Sequence, residues 1–245
     1  MPRIAIVVGE ASGDQLARGL INALRSRCPE AEFVGLTGPQ MRAAGCQSWG
    51  DCEQLALMGL VEVIGHLPRL RRLMKKLQGK LRDDPPDVLI GIDAPDFNLR
   101  LEAYARKRGI PTVHYVCPSV WAWRQSRVKT VRRSCDLVLC LLPFEKEFLQ
   151  RHAVPAEFVG HPLADEIGAG EERDACRQTL NLPPGPCLAI LPGSRHSEVT
   201  LLGPVFLQAA KQLRREMPQL CCLVAAANAD IAERLNAMVV QAGLT

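Results

Sequence analysis

The chain has 245 residues, of which 47% are hydrophobic and 23% are charged, and its formal net charge is +4. These values are ordinary for a soluble globular protein with one large or two smaller domains. The small net charge gives no reason to expect a nucleic-acid partner. We expect no secretory signal peptide, because the apolar part of MPRIAIVVGE is too short, and no apolar run approaches the length of a membrane span.

The ten cysteines are scattered along the chain, and none of them forms a C-x-x-C pair. Most lie within apolar runs, which argues against a zinc site and favours reduced, buried thiols in a cytosolic protein. No D-x-D pair occurs at a strand end, so the sequence does not imply a metal ion that would hold a diphosphate.

Strands and helices alternate along most of the chain, which predicts an α/β fold with a parallel, doubly wound sheet. Strands are predicted at residues 4–8, 31–36, 87–92, 111–116, 136–141, 156–159, 187–191 and 219–226. Helices are predicted at residues 15–27, 40–44, 97–108, 124–133, 144–151, 171–180 and 230–241, with a further long helix that ends near residue 217.

A domain boundary is predicted between residues 163 and 170, where glycine and charge replace the apolar pattern. We therefore expect an N-terminal domain over residues 1–165 and the start of a second domain over residues 166–245. Only two strands are predicted in the second part, too few for a stable doubly wound domain. The second domain is therefore expected to be incomplete.

Residues 58–82 depart from this alternation, because seven arginine and lysine residues lie between residues 69 and 82 and no acidic residue interrupts them. The segment predicts a basic amphipathic helix that lies on an anionic membrane surface with its apolar face towards lipid. The alternative is a surface helix whose apolar stripe faces the protein core. The residues of the predicted membrane patch are Val61, Val63, Ile64, Leu67, Leu70 and Leu73.

Two carboxylates follow the apolar run at residues 88–92, which is typical of a strand buried on both faces of a parallel sheet. Ligands bind at the carboxyl end of such strands. Because a carboxylate is costly to desolvate, a purely structural reason for Asp93 is weak. We expect Asp93 to act as a general base on a sugar hydroxyl and Asp96 to orient it or to bind a hydroxyl. Alternatively, Asp96 caps the helix that follows.

A second turn of this kind, Gly9 to Asp14, follows the first strand. Its acidic residues Glu10 and Asp14 would repel a pyrophosphate, so it suits sugar hydroxyls better. Ser12 and Asp14 are alternatively helix caps.

Further candidates lie past later strands. Trp121, Trp123 and Arg124 follow the strand at residues 111–116, and aromatic side chains stack on sugar rings or line an acyl groove. The alternative is that the tryptophans pack under the sheet. His161 lies at the predicted domain junction, where either a ligand contact or a structural role is expected.

A candidate phosphate site follows the first strand of the second domain. Gly193 permits close approach of the backbone to a ligand, and N–H groups at a helix N-terminus, here beginning near Ser194, hold phosphate. Arg195 adds a guanidinium fork that grips phosphate in a bidentate manner. Together these residues suit a diphosphate leaving group. Alternatively, Ser194 or Ser197 is a helix cap and Arg195 is solvated.

Seven motifs carry a resemblance to a known family. They are GEASGD at residues 9–14, MGLVEVIGHLPR at 58–69, GIDAPDFN at 91–98, YVCPSVWAWR at 115–124, PFE at 143–145, GHPL at 160–163 and LPGSRxSE at 191–198. In this order they resemble lipid-A-disaccharide synthase, a family of bacterial glycosyltransferases with two Rossmann-like domains, the GT-B architecture. Cys117 stands where the family often has serine.

The resemblance implies an inverting reaction that needs no metal or cofactor. UDP-2,3-diacylglucosamine and 2,3-diacylglucosamine 1-phosphate would give lipid A disaccharide 1-phosphate and UDP through a β-1,6 linkage. By position in the motifs, Asp93 would be the base on the acceptor 6-hydroxyl, and Arg195 would hold the nucleotide diphosphate. Glu10 and Asn98 would shape the substrate site.

The resemblance also implies a cytoplasmic protein that docks peripherally on the inner membrane through residues 58–82, and a homodimer in the full-length family. Family members are considerably longer than this chain, so little transferase activity is expected from residues 1–245 alone. Two alternatives stay open at this point. One is an inactive, membrane-associating fragment of the enzyme, and the other is a sugar-nucleotide epimerase on the same architecture.

Overall fold

The computed structural model describes residues 1–56, 63–123, 125–166 and 173–244. The chain divides into two compact units, Met1–Gly168 and Ala169–Thr245. A parallel sheet lies in each unit, with helices packed against it. The predicted α/β class with Rossmann-like parallel sheets is therefore confirmed.

The first unit contains a seven-stranded parallel sheet. Its strands are β1 Arg3–Val8, β2 Glu32–Thr37, β3 Gln47–Asp51, β4 Val88–Ile92, β5 Thr112–Tyr115, β6 Leu137–Cys140 and β7 Ala156–Phe158. Their order across the sheet is β3-β2-β1-β4-β5-β6-β7. The chain therefore builds the sheet outwards from β1 in one direction and from β4 in the other, so the strand order reverses between these two strands.

Helices cover both faces of this sheet. They are α1 Ala11–Arg27, α2 Pro39–Ala43, α3 Glu53–Ala56, α4 Val63–Asp83, α5 Pro95–Arg106, α6 Val128–Ser134, α7 Pro143–Arg151 and α8 Leu163–Glu166. One face of the core contains Ile21 of α1 and Met41 of α2, and the opposite face contains Leu77 of α4 and Leu101 of α5. Strand β1 is apolar after Arg3 because it is buried on both faces, and every residue after Arg3 in it is buried.

The predicted basic helix is present as α4, but its apolar stripe faces the core. Leu73 is 4% exposed and packs in the same cluster as Leu77, and Leu70 is half-buried against that cluster. The expectation that Leu70 and Leu73 face lipid is therefore wrong. The apolar stripe of an amphipathic helix in a globular protein typically packs against the core, as it does here. Leu67 is exposed.

Three members of the predicted membrane patch cannot be placed. Val61 lies outside the described residues, and so do the side chains of Val63 and Ile64. The basic side of α4 is exposed, as predicted, at Arg69, Arg71, Arg72, Lys75, Lys76, Lys80 and Arg82. Among the described residues, no helix is both long enough and apolar enough to cross a bilayer.

Strand β3 was not predicted from the sequence. Its residues, QSWGD, lack an apolar alternation, and only Trp49 in it is buried. The strand lies at the edge of the sheet, and its pairing with β2 shifts register between Gly35 and Leu36. An edge strand needs little apolar surface, which explains why periodicity did not reveal it.

The second unit contains a parallel pair of strands, β8 Cys187–Ile190 and β9 Cys221–Val224. Its helices are α9 Arg173–Thr179, α10 His196–Glu216 and α11 Ala229–Ala242. Val199 of α10 packs with Ile231 and Leu235 of α11 in a small core. Helix α11 begins at a side-chain cap, in which Asn228 Oδ1 accepts a hydrogen bond of 2.9 Å from the Ile231 N–H.

Candidate active site

The carboxyl ends of β1 and β4 form the candidate site of the first unit. Val8 and Ile92, the last residues of these strands, are paired in the sheet, so the chain segments that follow them leave the sheet side by side. The strand order reverses here, and ligands bind at such a switch point in open α/β sheets. Glu10 follows β1 and Asp93 follows β4, so the structure brings these two predicted residues to the same edge.

The turn after β4 has a strained backbone. Asp93 and Ala94 adopt φ angles of 53° and 44°, in the left-handed region that residues other than glycine rarely enter. Each such residue costs about 1–2 kcal/mol, and strain of this kind concentrates at functional sites. The Asp93 N–H donates to the Tyr115 carbonyl at 2.9 Å, and Pro95 starts α5 directly after the turn. Helix α5 thus begins two residues earlier than predicted, with proline at its first position.

The turn after β1 approaches the turn after β4 closely. A Cβ atom on Gly9 would lie 2.5 Å from the Ala94 Cβ, which is closer than two carbon atoms can come without displacement. Glycine at this position therefore permits the contact between the two turns. Helix α1 begins at Ala11, earlier than the predicted residue 15, and Glu10 is its N-cap residue with extended backbone.

Asn98 stabilises the Asp93 turn through side-chain hydrogen bonds to the backbone. Its Nδ2 donates to the Asp93 carbonyl at 2.8 Å and to the carbonyls of Val7 and Ile92 at 3.2 Å each. The side chain is buried on the inner side of α5. Asn98 therefore ties the ends of β1 and β4 to the turn that carries Asp93, and its expected part in shaping the substrate site stays a prediction.

The two carboxylates of the turn differ in their surroundings. The Asp93 side chain is half-buried, and within the described residues it has no hydrogen-bond or ion-pair partner. Asp96 is exposed in the first turn of α5 and forms an ion pair with Arg127, which lies in the short 3-10 helix Gln125–Arg127. The two carboxylates therefore differ: Asp96 is engaged in an ion pair at the surface, and the Asp93 side chain has no partner among the described residues.

Asp14 is a helix cap, as the alternative interpretation of the sequence allowed, but which helix it caps was not predicted. The carboxylate is buried and accepts hydrogen bonds from the backbone N–H groups of Gly38, Gln40 and Met41 at 2.8–3.1 Å. It therefore caps the N-terminus of α2 rather than that of its own helix. Ser12 is exposed at the start of α1.

A buried acid–base pair lies behind β4 and was also missed. Glu102 Oε1 and His114 Nδ1 are 2.7 Å apart, and both side chains are buried. Burial raises the pKa of the Glu102 carboxyl, and the adjacent His114 opposes this shift. Gly91 is required here, because a Cβ atom on it would lie 2.1 Å from Glu102 Oε1. The available signal was His114 within a predicted strand, whereas Glu102 is one of several polar residues of α5.

The tryptophan-containing loop divides between packing and exposure. Trp121 is half-buried, and its Nε1 donates to Glu145 Oε1 at 3.2 Å. Trp123 is an exposed hydrophobic side chain. The packing alternative therefore applies to Trp121, and Trp123 is exposed at the surface. Arg124 lies outside the described residues.

His161 lies apart from Asp93. It follows β7, which is three strands from β4, so the two strand ends are roughly 14 Å apart at the usual strand spacing. His161 Nδ1 accepts a hydrogen bond from the Leu163 N–H at 3.2 Å, at the start of α8. The structure therefore gives His161 a local capping role and does not bring it to the Asp93 turn.

In the second unit, the predicted phosphate loop is already occupied by a carboxylate of the chain. Glu198 Oε2 accepts hydrogen bonds from the backbone N–H groups of Ser194 and Arg195 at 3.0 and 3.1 Å. These bonds, together with Arg195, hold the pKa of the Glu198 carboxyl below its usual range. Two N–H groups of this turn are therefore engaged by Glu198, and phosphate binding at Gly193, Ser194 and Arg195 stays a prediction.

The side chains of this loop fit closely around Glu198. Arg195 Nη1 lies 3.2 Å from Glu198 Oε1. Gly193 has a φ of 126°, and a Cβ atom on it would lie 2.5 Å from Glu198 Cβ. Glycine at this position thus serves the packing of Glu198. Both predicted capping serines, Ser194 and Ser197, are exposed.

Comparison with solved structures gives the fold. The UDP-GlcNAc 2-epimerase of Neisseria meningitidis, bound to UDP-GlcNAc, superposes with a TM-score of 0.66 at 10% identity, over 99% of this chain and 70% of that one. The UDP-GlcNAc 2-epimerase of Methanocaldococcus jannaschii superposes with a TM-score of 0.61 at 13% identity, over 99% and 69%. At these identities the likeness shows the Rossmann-like architecture alone.

Comparison of sequences gives the family. Lipid-A-disaccharide synthase of Xanthomonas oryzae pv. oryzae (strain MAFF 311018) is 53% identical over 240 residues, which cover 96% of this chain and 56% of the relative. The synthase of Xylella fastidiosa (strain 9a5c) is 51% identical, over 96% and 62%. This chain thus spans little more than half the length of these relatives. A family model for lipid-A-disaccharide synthetase matches residues 4–244, and the chain belongs to this family.

Proposed function

We propose that this chain carries the acceptor-activating part of an inverting hexosyltransferase. The enzyme would join UDP-2,3-diacylglucosamine to 2,3-diacylglucosamine 1-phosphate, and would release lipid A disaccharide 1-phosphate and UDP. Membership of the lipid-A-disaccharide synthetase family supports this reaction over an epimerase. The observation that carries the proposal is the half-buried Asp93 carboxylate, which has no partner among the described residues and lies at the switch point of the sheet.

Asp93 is the proposed general base. Its carboxylate takes the proton from the acceptor 6-hydroxyl while the hydroxyl oxygen attacks the anomeric carbon of the donor from the face opposite UDP. The strained turn and the Asn98 hydrogen bonds fix the backbone of Asp93 at the edge of the sheet, which favours a proton transfer from a defined direction. Glu10, at the same edge of the sheet, is a proposed substrate contact.

Arg195 is the proposed ligand of the UDP diphosphate. Its side chain is 58% exposed, which supports access to a ligand. Binding has a cost, because the guanidinium is paired with Glu198 and the backbone N–H groups of Ser194 and Arg195 are taken by the same carboxylate. A diphosphate would therefore exchange with the Glu198 carboxylate at Arg195 rather than enter a free helix N-terminus.

The test of Asp93 uses a chimaera, because this chain spans little more than half the length of its relatives. In it, the remaining segment of the Xanthomonas oryzae synthase follows residue 244. We expect Asp93→Asn to lower the rate of UDP release with both lipid substrates by about 10²–10⁴-fold, as loss of a general base does. The rate should be measured under single-turnover conditions, so that substrate binding and product release do not limit it.

The matched control is Asp87→Asn. Asp87 lies at the opposite end of β4 and accepts a hydrogen bond from the Arg3 N–H at 2.7 Å, which an asparagine oxygen also accepts. This variant should retain the rate of the unmodified chimaera. A near-normal rate in Asp93→Asn would remove Asp93 as the base.

We further propose a cytoplasmic protein that docks peripherally on the anionic surface of the inner membrane through the basic side of α4. Seven exposed arginine and lysine residues support this proposal, and each contributes about 1 kcal/mol near an anionic surface. The buried leucines of α4 leave electrostatic attraction as the main source of affinity for this helix.

Vesicle sedimentation tests the docking surface. We expect Arg72→Glu with Lys76→Glu to reduce binding to vesicles that contain anionic lipid by at least tenfold, and high salt to reduce binding of the unmodified chain. The matched control is Lys129→Glu with Arg133→Glu, which makes the same change of net charge on exposed residues of α6. Equal losses in the two double variants would contradict a surface on α4.

A further inference from the structure

Two thiols and a carboxylate meet beneath the tryptophan-containing loop of the first unit. Cys117 comes from the loop after β5, Cys140 from the last position of β6, and Glu145 from the first turn of α7. The three side chains are buried, and their Sγ and carboxylate oxygen atoms all lie within 4.8 Å of one another. Because Cys117 is distant in the sequence from Cys140 and Glu145, no C-x-x-C spacing indicates this cluster.

The chemistry of the three groups suits a thiophilic divalent cation. Zinc binds thiolate at about 2.3 Å and carboxylate at about 2.0–2.2 Å, so two ligand atoms on one tetrahedral ion are roughly 3.5–3.8 Å apart. The atoms of the cluster therefore need to close by no more than about 1 Å, which rotation of a cysteine side chain provides. Thiolate ligands select zinc over the hard cations magnesium and calcium.

The carboxylate of Glu145 is already fixed in orientation. Its Oε1 accepts from Trp121 Nε1 at 3.2 Å and its Oε2 from the Leu142 N–H at 3.1 Å. Each carboxylate oxygen has two lone-pair positions, so both retain one for a cation. Hydrogen bonds of this kind orient metal ligands in proteins. Phe144 packs edge-on against Trp121, with ring centroids 4.9 Å apart, and holds the indole in place.

The loop that carries Cys117 is fixed as well. Val116 has a φ of 81°, which is unusual for a β-branched residue, and its N–H donates to the Leu139 carbonyl at 3.0 Å. This bond joins the loop to β6 one residue before Cys140. Within the described residues, Glu145 forms no ion pair with a lysine, arginine or histidine. A cation between the thiols and this carboxylate would balance its buried charge.

We propose that Cys117, Cys140 and Glu145 form a binding site for one zinc-class cation, with a fourth position open to water or another small ligand. The bound ion would link the loop of Trp121 and Trp123 to β6 and α7, and would thereby stiffen the rim of the sheet beside the candidate active site. This site is separate from Asp93 and does not depend on the proposed transferase reaction.

Cobalt(II) is the probe, because thiolate ligation gives it a strong ultraviolet charge-transfer absorption and tetrahedral ligation gives it visible bands. The whole chain, reduced with a phosphine, should bind one equivalent with both absorptions, and zinc should displace the cobalt. Cys117→Ser with Cys140→Ser should lose the thiolate absorption. Glu145→Gln should keep it and bind at least about tenfold more weakly.

The matched control removes a different pair of neighbouring thiols. Cys187 and Cys221 face each other across β8 and β9 in the second unit, so Cys187→Ser with Cys221→Ser tests whether any thiol pair suffices. This variant should retain the full absorption. The proposal is overturned if the unmodified chain shows no thiolate absorption. It is also overturned if Cys187→Ser with Cys221→Ser loses the absorption while Cys117→Ser with Cys140→Ser keeps it.

X-ray absorption of the unmodified chain loaded with one equivalent of zinc needs no variant and covers the case in which the serine variants do not fold. We expect two sulfur ligands at about 2.3 Å, with the remaining ligands oxygen or nitrogen at about 2.0–2.2 Å. A shell of oxygen and nitrogen alone, or one with three or four sulfurs, would overturn the proposal.

Discussion

The turn after β4 in the first unit and the turn after β8 in the second occupy equivalent places relative to their strands, but their carboxylates differ in hydrogen bonding. Both lead from the carboxyl end of a parallel strand into a helix. In the first turn, the carboxylate of Asp93 has no partner among the described residues and the backbone is strained. In the second, Glu198 accepts hydrogen bonds from two backbone N–H groups, and the left-handed position is a glycine, Gly193.

The position of each carboxylate relative to its helix explains this difference in bonding. A carboxylate at the third helical position reaches back to N–H groups just before its own helix, as Glu198 does for Ser194 and Arg195 ahead of α10. Asp93 precedes the first helical position of α5, and its side chain makes no such bond. The first turn is therefore held by other residues, chiefly Asn98 and the contact of Gly9 with Ala94.

The largest effect is expected from the support of the first turn. Asn98→Ala removes the hydrogen bonds to the carbonyls of Val7, Ile92 and Asp93 and should lower the free energy of unfolding of the first unit by about 2–3 kcal/mol. Urea unfolding followed by tryptophan fluorescence measures it, because all three tryptophans lie in the first unit.

The control for Asn98 is Asp96→Asn on the same helix. Asp96 is exposed and loses only an ion pair with Arg127, so the change should be below about 1 kcal/mol. If Asn98→Ala lowered the free energy of unfolding no more than this control does, the first turn would not depend on the Asn98 hydrogen bonds. Its contrast with the Glu198 turn would then fail.

The contact between the two turns of the first unit gives the next effect. Gly9→Ala places a Cβ atom against Ala94 and should cost about 1–3 kcal/mol. Ala94→Gly removes that obstacle and also relieves a left-handed alanine, at the cost of greater freedom in the unfolded chain. The double variant should therefore recover most of the loss, with a coupling energy of at least about 1 kcal/mol by urea unfolding.

Gly19→Ala is the control for this cycle. Nothing lies within 4 Å of a Cβ atom at Gly19 in α1, so alanine should stabilise the helix by up to about 1 kcal/mol. Strict additivity of Gly9→Ala and Ala94→Gly would mean that the turns do not touch as described.

The sequence predicted the parts of this molecule that depend on local pattern. The apolar run at β4 located the strand, and its position placed Asp93 at a carboxyl end. Contacts made by residues distant in sequence were not predictable: Asp14 caps α2, and Cys117 meets Cys140 only once β5 and β6 pair. Neither of these two contacts produces a periodic pattern in the sequence.

The leucines of α4 show a second limit. Their spacing predicted the helix, but the same stripe fits a membrane surface or a protein core, and only the sheet beneath it decides. The Glu198 loop shows a third limit of prediction from sequence, because the motif LPGSRxSE is compatible with a phosphate site or with a capping box. Gly193 and Glu198 belong to the motif in both interpretations, so the motif alone does not distinguish a phosphate site from a capping box.

The smallest effect concerns the protonation of Glu198. Hydrogen bonds from the N–H groups of Ser194 and Arg195 lower the pKa of this carboxyl in the folded chain. Its stabilising contribution is therefore complete above the unfolded pKa, about 4.3, and is lost as the pH falls through the lowered folded pKa. Glu198→Gln should melt below the unmodified chain near neutral pH, and the difference should shrink as the solution is acidified.

Carbon-detected NMR of the Glu198 carboxyl measures this pKa directly, and thermal melts by far-ultraviolet circular dichroism measure the stability difference. Glu233→Gln, an exposed residue of α11, is the control and should change the melting temperature little. A Glu198 carboxyl that titrates at the ordinary glutamate value would mean that its two N–H bonds are not kept in solution. The turn after β8 would then be as open to a phosphate as the sequence first suggested, and its contrast with the Asp93 turn would disappear.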